Sequence, residues 1–250
     1  MAPGQPVDYN ALAQECVQWI KEWFARNGGS SPKAVLGMSG GKDSTVAAAL
    51  CAKALGPENV VGVAMPAEGQ SLHEADEICA FLGIRYICAP VGNAIASFES
   101  VAGALEEGIS PQARQNIPPR VRMTALYAIS QSLGGRVVNT CNLSEDYIGY
   151  ATRWGDSVGD FSPMGGLTVQ EVKGIGHALG VPSRWVEKTP DDGLPCSCPD
   201  EEKFGFTYAV LDRYIRTGEC DDPAVREKID RMHRSNVFKL SMPEAFRPFD

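Results

Sequence analysis

The 250-residue chain has no surplus of cations: 23 Lys and Arg stand against 31 Asp and Glu, a formal net charge of −8. A phosphate backbone is bound mainly through excess Lys and Arg, so general nucleic-acid affinity is not expected, although a local basic pocket remains compatible with this balance. No apolar run approaches the length of a membrane span, and the start, Met1-Ala-Pro-Gly-Gln5, has no signal-peptide pattern. Histidine is scarce. His73, His177 and His233 share no spacing with one another or with a Ser or Cys nucleophile, and each reads as a helix-surface residue rather than a catalytic base. Zinc-type cysteine spacing is also missing: Cys196 and Cys198 form a C-x-C in a loop, with no second pair and no nearby His. Cys16, Cys51, Cys79, Cys88 and Cys141 fall on apolar faces and read as reduced core residues of a cytoplasmic protein. Without repeats, low-complexity tracts or a linker, residues 1–250 are expected to form one domain with a substantial core.

Two common phosphate motifs fail. Walker A requires four residues between its first Gly and Gly-Lys, then Ser or Thr; here three separate Gly37 from Gly41, and Asp43 follows Lys42. The dinucleotide fingerprint with three spaced glycines is absent, and the Gly174-Ile-Gly-His-Ala-Leu-Gly180 run sits inside a predicted helix.

What is present is the stretch from Lys33 to Leu50. Val35 and Leu36 end a short buried strand, and Thr45 to Leu50 begin an Ala-rich helix. Between them Ser39, Gly40 and Gly41 make a turn with almost no side-chain bulk, open to close approach by a ligand. The free N–H groups of the turn and of the first helical residues, with the positive helix pole, suit a polyanion. Ser44 adds a hydroxyl at the helix start, and Asp43 a carboxylate where a phosphate-held metal needs an oxygen. The plainer reading is a Gly-rich turn with no ligand.

The rest of the chain alternates. A helix is predicted from Asp8 to Asn27, with Asp8 as N-cap and Gly28 and Gly29 as the stop. Further strands are predicted at Asn59–Met65, Arg85–Ala89 and Arg136–Thr140. Helices are predicted from Ser71 through Phe81 (a Ser71/Glu74 capping box), over Gly92–Gly108, and up to Leu133 behind Pro118 and Pro119. Later ones cover Asp146–Thr152, Thr168–Leu179, Thr207–Arg216 and Pro223–Arg234, with an exposed loop from Asp191 to Lys203. The expected fold class is α/β, a Rossmann-like doubly wound parallel sheet with helices on both faces, its ligand beyond the C-terminal strand ends.

Ser39-Gly-Gly-Lys-Asp-Ser44 resembles the pyrophosphate loop of the N-type ATP pyrophosphatase superfamily, with an adenine nucleotide alpha hydrolase-like fold. Asn116-Ile-Pro-Pro-Arg-Val-Arg-Met123, Asn139-Thr-Cys-Asn-Leu-Ser-Glu145 and Gly149-Tyr-Ala-Thr-Arg-Trp-Gly-Asp156, then Asp160 and Pro163, look like the successive signatures of NAD synthetase. Lys188-Thr-Pro190, Asp200-Glu-Glu-Lys-Phe-Gly-Phe-Thr-Tyr208 and Phe238-Lys-Leu-Ser-Met-Pro243 resemble its C-terminal half. The likeness runs in order from about residue 34 onward.

That resemblance implies adenylation of the nicotinate carboxylate of deamido-NAD by ATP, then displacement of AMP by ammonia. It implies ATP contacts at Gly37, Met38, Ser39, Gly40, Gly41, Lys42, Asp43, Ser44 and Thr140, with Lys42, Asp43 and Ser44 nearest the chemistry. Mg²⁺ is implied on Asp43 and Glu145, and deamido-NAD contacts at Arg120, Arg153, Asp160 and Lys239. On the residues alone, Glu145 reads equally as a solvated acid at a helix start capped by Ser144, and an Arg on a helix is usually a surface charge. Arg114, Arg120 and Arg122 make a basic face, and Pro118 and Pro119 are expected to aim Arg120 by fixing the chain as it enters the helix.

Several positions depart from the family pattern. Arg153 stands where many relatives carry Lys, a planar fork in place of a point charge. A family Lys toward ATP phosphate falls on Val169, leaving Lys42 or Lys173 as substitutes; Asp191 replaces a hydroxyl residue; and Phe238 replaces the His of a His-Lys pair. With one helix ahead of the phosphate loop, no glutaminase domain is expected, so ammonia is the expected nitrogen donor and a homodimer the expected assembly. The alternatives are a relative that adenylates another substrate, such as a tRNA base, and a non-catalytic protein that senses ATP or NAD.

Overall fold

The computed structural model describes residues 7–29, 32–67, 70, 73–188, 200–243 and 245–246. Strands β1 (Ala34–Gly37), β2 (Val60–Ala64), β3 (Arg85–Cys88) and β4 (Arg136–Val137) form one parallel sheet in the order β3-β2-β1-β4. Helix α1 (Tyr9–Asn27) precedes β1; α2 (Lys42–Leu55) and α3 (His73–Leu82) connect β1 to β3; α4 (Gly92–Ala102) and α5 (Pro111–Ser132) carry the chain back to β4. The direction of winding reverses between β1 and β4, and a parallel sheet opens a crevice at the C-terminal ends of strands on either side of such a reversal.

Alternation along the strands builds a core on each face. Ala34 and Leu36 of β1, with Val60 and Ala64 of β2, face one cluster shared with α1, α2, α3, α7 (Val169–Ala178) and α8 (Ser183–Val186). Val35, Val61 and Val63 face the opposite cluster, closed by Val91, Val121, Met123 and Leu126. Full burial of side chains such as Leu36 and Val35 contributes roughly 1.5–3 kcal/mol each relative to exposure. Past the end of the sheet, α6 (Leu143–Ile148), α9 (Asp200–Phe204), α10 (Tyr208–Thr217) and α11 (Pro223–Asn236) enclose a third cluster of Ile148, Val169, Phe204, Phe206, Tyr208, Leu211 and Ile229. The predicted α/β class and parallel sheet agree with this architecture.

Local signals explain most element ends. Asp8 caps α1, its carboxylate accepting the N–H groups of Asn10 and Ala11 at 3.0 and 3.1 Å. Three predicted boundaries are corrected. First, α5 starts at Pro111, capped by the Ser110 hydroxyl, and runs through Pro118 and Pro119, which lie inside it and not at its entrance. A mid-helix proline costs on the order of 3 kcal/mol, and the packing of Ile117, Val121 and Leu126 on the sheet offsets it. Second, β4 ends at Val137 because the following residues also pair outward: Val138 bridges Phe161, and Asn139 N–H donates to the Phe161 carbonyl at 2.8 Å. Third, α6 covers 143–148 and not 146–152, since Asn142 caps it and Gly149, at φ +70°, ends it.

Smaller readings change too. Cys88 is exposed on β3 rather than core, Cys16 is half-buried, and Cys51, Cys79 and Cys141 are buried as expected. The predicted loop from Asp191 lies outside the described residues to position 199, after which Asp200–Phe204 is helical; Cys196, Cys198 and the capping role of Ser71 lie outside as well.

The Gly-rich run of α7 is a packing device. A Cβ on Gly176 would stand 2.9 Å from methyl carbons of both Val46 and Val186, and one on Gly174 would meet the Tyr9 ring. Replacing Gly176 by Leu overfills the α2–α7–α8 contact, with an expected loss of about 1–3 kcal/mol in chemical denaturation. An unchanged denaturation midpoint would show that the helices separate freely there.

Candidate active site

The turn after β1 is tied down from several sides. Met38 N–H donates to the Val63 carbonyl at 2.8 Å, so the main chain continues the sheet while the Met38 side chain is buried in the core. Of this residue only the backbone can reach a ligand. Gly40 has φ +80°, a conformation that side-chain-bearing residues seldom adopt. Helix α2 begins at Lys42, earlier than Thr45, with Gly41 at its N-cap and no side-chain cap bond. Its first-turn N–H groups have no carbonyl within the helix to receive them. The Gly41 N–H is the exception to the expected set of free donors, since it reaches the Ser39 hydroxyl at 3.2 Å. The Ser44 and Thr45 hydroxyls both donate to the Gly41 carbonyl, at 3.1 and 2.8 Å, and brace the turn.

Across the crevice, the chain leaving β4 delivers the second half of the site. The Asn142 side-chain oxygen accepts the N–H groups of Ser144 and Glu145, both at 3.1 Å, as N-cap of α6. Its amide nitrogen donates to Asp43 Oδ1 at 3.1 Å, and Lys42 Nζ donates to Asp43 Oδ2 at 2.7 Å. One asparagine therefore fixes the start of α6 and its distance from the start of α2. Ser144, the expected cap, has a different partner: its hydroxyl donates to the buried Asp212 carboxylate at 2.5 Å and accepts the Val169 N–H at 3.1 Å. Asp212 also accepts the Gln170 N–H at 2.9 Å, so one carboxylate on α10 ties together the starts of α6 and α7.

The electrostatics follow from this crowding. Burial, then the neighbouring Asp43 carboxylate, push the Glu145 carboxyl up to about 8, against opposing effects of Lys42 and the Asn142 amide. Burial acts to lower the Lys42 ammonium, but the Asp43 and Glu145 carboxylates outweigh it and its pKa is raised. Two acidic groups at the first turns of facing helices are a donor set suited to a hard divalent cation, provided the remaining oxygens come from elsewhere. Among the described residues no group of three or more His, Cys, Asp or Glu is arranged to hold a metal ion. Asp43 and Glu145 could therefore supply two oxygens to a divalent cation, with the remaining ligands coming from outside the protein.

Thr140 sits half-buried just beyond β4, on the same side as the turn. Arg120, Arg153 and Lys239 converge on the 149–153 segment. Arg120 Nε donates to the Arg153 carbonyl at 3.2 Å, Arg153 Nη2 to the Ser241 carbonyl at 3.1 Å, and Lys239 Nζ to the Gly149 carbonyl at 2.8 Å. The Arg153 guanidinium lies over Trp154 and Phe238, 5.0 and 5.2 Å from their ring centroids. Asp160 is placed otherwise: its carboxylate accepts the Val137 N–H at 2.7 Å and the Tyr127 hydroxyl at 3.4 Å, along the edge of β4.

Several expected roles move. The three arginines do not share a solvent face: Arg114 pairs with Glu99, Arg122 reaches inward to the Met65 carbonyl at 3.0 Å, and Arg120 remains exposed. Lys173 pairs with Glu187 at 2.9 Å, and Val169 is buried, so neither offers a cation to the crevice. Asp191 lies outside the described residues. Asn142 and Asp212 carry structural weight that the sequence reading missed. The first has a local signal, an Asx residue before Ser-Glu at a helix start; the second has none.

A family model described as NAD synthase matches residues 12–246. The NH(3)-dependent NAD(+) synthetase of Thermococcus kodakarensis is 38% identical over 84% of this chain and 81% of its own. Among solved structures, the NMN synthetase of Francisella tularensis aligns with a TM-score of 0.87 at 27% identity, over 98% of this chain and 100% of that one. The NH3-dependent NAD synthetase of Campylobacter jejuni aligns with a TM-score of 0.77 at 27% identity, over 97% and 100%.

The Glu145 carboxyl generates a pH prediction. Its ligand-free folded pKa, about 8, lies above its ordinary value of 4.5, so the folded state holds the extra proton between those values. Stability from this group is complete below about pH 4.5 and is lost as pH rises toward 8. Glu145→Gln should remove that loss: the variant's melting temperature, compared with the parent's, should gain ground steadily from pH 5 to pH 8.5. Parallel curves over this range would mean that burial and the Asp43 carboxylate do not raise the Glu145 carboxyl in the folded protein.

Proposed function

The chain belongs to the NAD synthase family, and on that premise we infer that it is an ammonia-dependent NAD synthetase, a ligase that forms a C–N bond. The observation that carries the reading is the facing pair of helix starts at the switch point: an uncapped first turn at Gly41–Ser44 opposite the carboxylate of Glu145, joined by Asn142. This is an arrangement for a nucleotide polyphosphate with a divalent cation.

In the reaction, a nicotinate carboxylate oxygen of deamido-NAD attacks the α-phosphorus of ATP, the bond to the bridging oxygen breaks, and pyrophosphate leaves. Ammonia then attacks the acyl carbon, AMP departs with the carboxylate oxygen, and loss of a proton leaves the amide. The protein's task is to bring two anions together, and preorganised donors and charges do this better than water. The Ser39–Gly40 main chain and the first-turn N–H groups of α2 offer donors to the phosphates, the Met38 and Gly41 N–H groups being engaged within the protein; Lys42 and Ser44 add a cation and a hydroxyl, and Thr140 a second hydroxyl across the crevice. Mg²⁺, held by Asp43 and Glu145, would neutralise charge on the phosphates. Arg120, Arg153 and Lys239, gathered on one segment, receive the diphosphate and ribose part of deamido-NAD. Asp160 supports that wall by holding β4 and Tyr127.

Ammonia is the nitrogen donor in the names of the relatives, and we take it as the donor here. Exposed Phe98, Val101 and Leu105 on and after α4 support a homodimer. Among the described residues no helix is long and apolar enough to cross a membrane, and we place the enzyme in the cytoplasm. A second reading, amidation of the mononucleotide acid to NMN, is favoured by the TM-score of 0.87 to a protein called an NMN synthetase.

Purified protein with ATP, Mg²⁺ and ammonium should convert deamido-NAD to NAD, followed with an NAD-dependent dehydrogenase, and glutamine should not replace ammonium. Faster conversion of nicotinate mononucleotide would favour the second reading, and no amide from either substrate would defeat both. Asp43→Asn should abolish pyrophosphate release while leaving the circular dichroism spectrum unchanged; near-normal turnover would remove Asp43 from the metal site. Arg120→Ala should raise KM for deamido-NAD about tenfold with little change for ATP, as loss of a charge-assisted contact predicts. Equal losses for both substrates would place Arg120 elsewhere.

A further inference from the structure

Tyr208, the first residue of α10, is 5% exposed, and its ring belongs to the third core cluster. Its main chain is fixed: the N–H donates to Glu201 at 2.8 Å, and the Thr207 hydroxyl caps the same helix. The ring meets Phe204 edge-on with centroids 6.0 Å apart, and Lys42 Nζ lies 5.8 Å from its centroid. Everything about the ring is satisfied. The hydroxyl is not: it is buried and has no hydrogen-bond partner among the described residues. A buried hydroxyl without an acceptor is unfavourable and uncommon, since the large majority of such groups are paired.

None of the acids near the phenol, Glu145 included, accepts from it. Asp200 takes the Tyr150 hydroxyl at 2.7 Å, and both Asp43 oxygens are held by Lys42 and Asn142. Burial and the charges of Glu145, Asp200 and Asp43 keep the phenol protonated far above physiological pH, so it can act only as a donor to an anion. Lys42 ties this ring to the phosphate turn. The same ammonium that sits over Tyr208 is bonded to Asp43 at the start of α2.

We propose that the Tyr208 hydroxyl is a further ligand-binding group of this site, donating a hydrogen bond to a polyphosphate oxygen of bound ATP beside Lys42. The proposal rests on the nucleotide reading of the crevice and extends it to the third cluster. Docking α10 then does more than cover the sheet's end: it brings a neutral donor into a pocket where more positive charge would compete with the metal. It also gives a reason for the orphaned hydroxyl.

Tyr208→Phe removes the hydroxyl and keeps the ring. Two quantities distinguish a ligand contact from a structural one: the melting temperature without nucleotide, and the Kd for ATP with Mg²⁺ by calorimetry, both without deamido-NAD. The variant should melt at or above the parent's temperature, because it loses an unpaired buried polar atom, and should bind ATP roughly tenfold to a hundredfold more weakly. A lower melting temperature with unchanged ATP affinity would overturn the proposal by showing that the hydroxyl serves the fold. No change in either quantity would overturn it as well. Parent protein that binds no ATP would overturn the nucleotide reading itself, an outcome visible before the variant is made.

Discussion

Everything at the crevice depends on holding two carboxylates close together. Asp43 and Glu145 belong to helices on opposite sides of the switch point, and their mutual repulsion adds to the cost of burying Glu145. The fold meets that cost with a short list of groups. Lys42 supplies a buried positive charge, and Asn142 bridges the pair by donating to one acid and capping the helix of the other. Ser144 and Asp212 then anchor α6 from behind. Removing any one of these would leave a buried charge or a free helix end uncompensated. A site under this tension gains more from a cation and a polyphosphate than a neutral cleft would, because the ligand relieves repulsion as well as forming bonds.

The three core clusters can be understood as supports for that arrangement. The sheet and the helices on its two faces set the height of the Gly41 turn and of Thr140. The third cluster lies outside the sheet and holds the back of α6 and α7. Val169 belongs to it, where a family lysine is expected to face phosphate, and Lys173 is paired with Glu187 at the surface. Lys42 supplies a buried positive charge beside the turn. Its burial keeps it from being screened as a surface lysine would be, and the two neighbouring acids keep it protonated.

Much of the fold was legible because it depends on local pattern. Asp8, the Ala-rich α2, the buried strands and the Ser39–Ser44 turn are decided within a few residues by capping, periodicity and glycine. Errors came where distant contacts overrule local signals. Pro118 and Pro119 read as a helix entrance, yet the apolar face of α5 carries the helix through them. β4 reads as five residues, yet Phe161 pairs along its outer edge after two. Ser144 reads as a cap until Asp212, 68 positions away, claims its hydroxyl. At the candidate site, the strand–turn–helix around Ser39–Ser44 was legible from local sequence. The partners that aim the site's side chains were less so: Asn142 has a local capping signal, but its bond to Asp43, like that of Asp212 to Ser144, joins distant segments and leaves no periodic trace in sequence.

The proposed substrate wall follows a different logic from the Ser39–Ser44 turn. Arg120, Arg153 and Lys239 donate mainly to backbone carbonyls of 149–153 and 241, so they hold the segment's shape through its main chain. Arg153 gains a further hold from the faces of Trp154 and Phe238, a contact that a lysine's compact ammonium makes less well than a planar guanidinium. Arg at 153 and Phe at 238, two departures from the family pattern, are thus partners in one contact. The turn side of the crevice is fixed by buried charge, whereas this side is fixed by cations bonded to main-chain carbonyls, one of them, Arg153, also lying on exposed rings. Contacts at the surface can be reorganised more cheaply than buried charge, so on the proposed reading substrate fit is the part of the site free to adjust while the carboxylate pair stays in place.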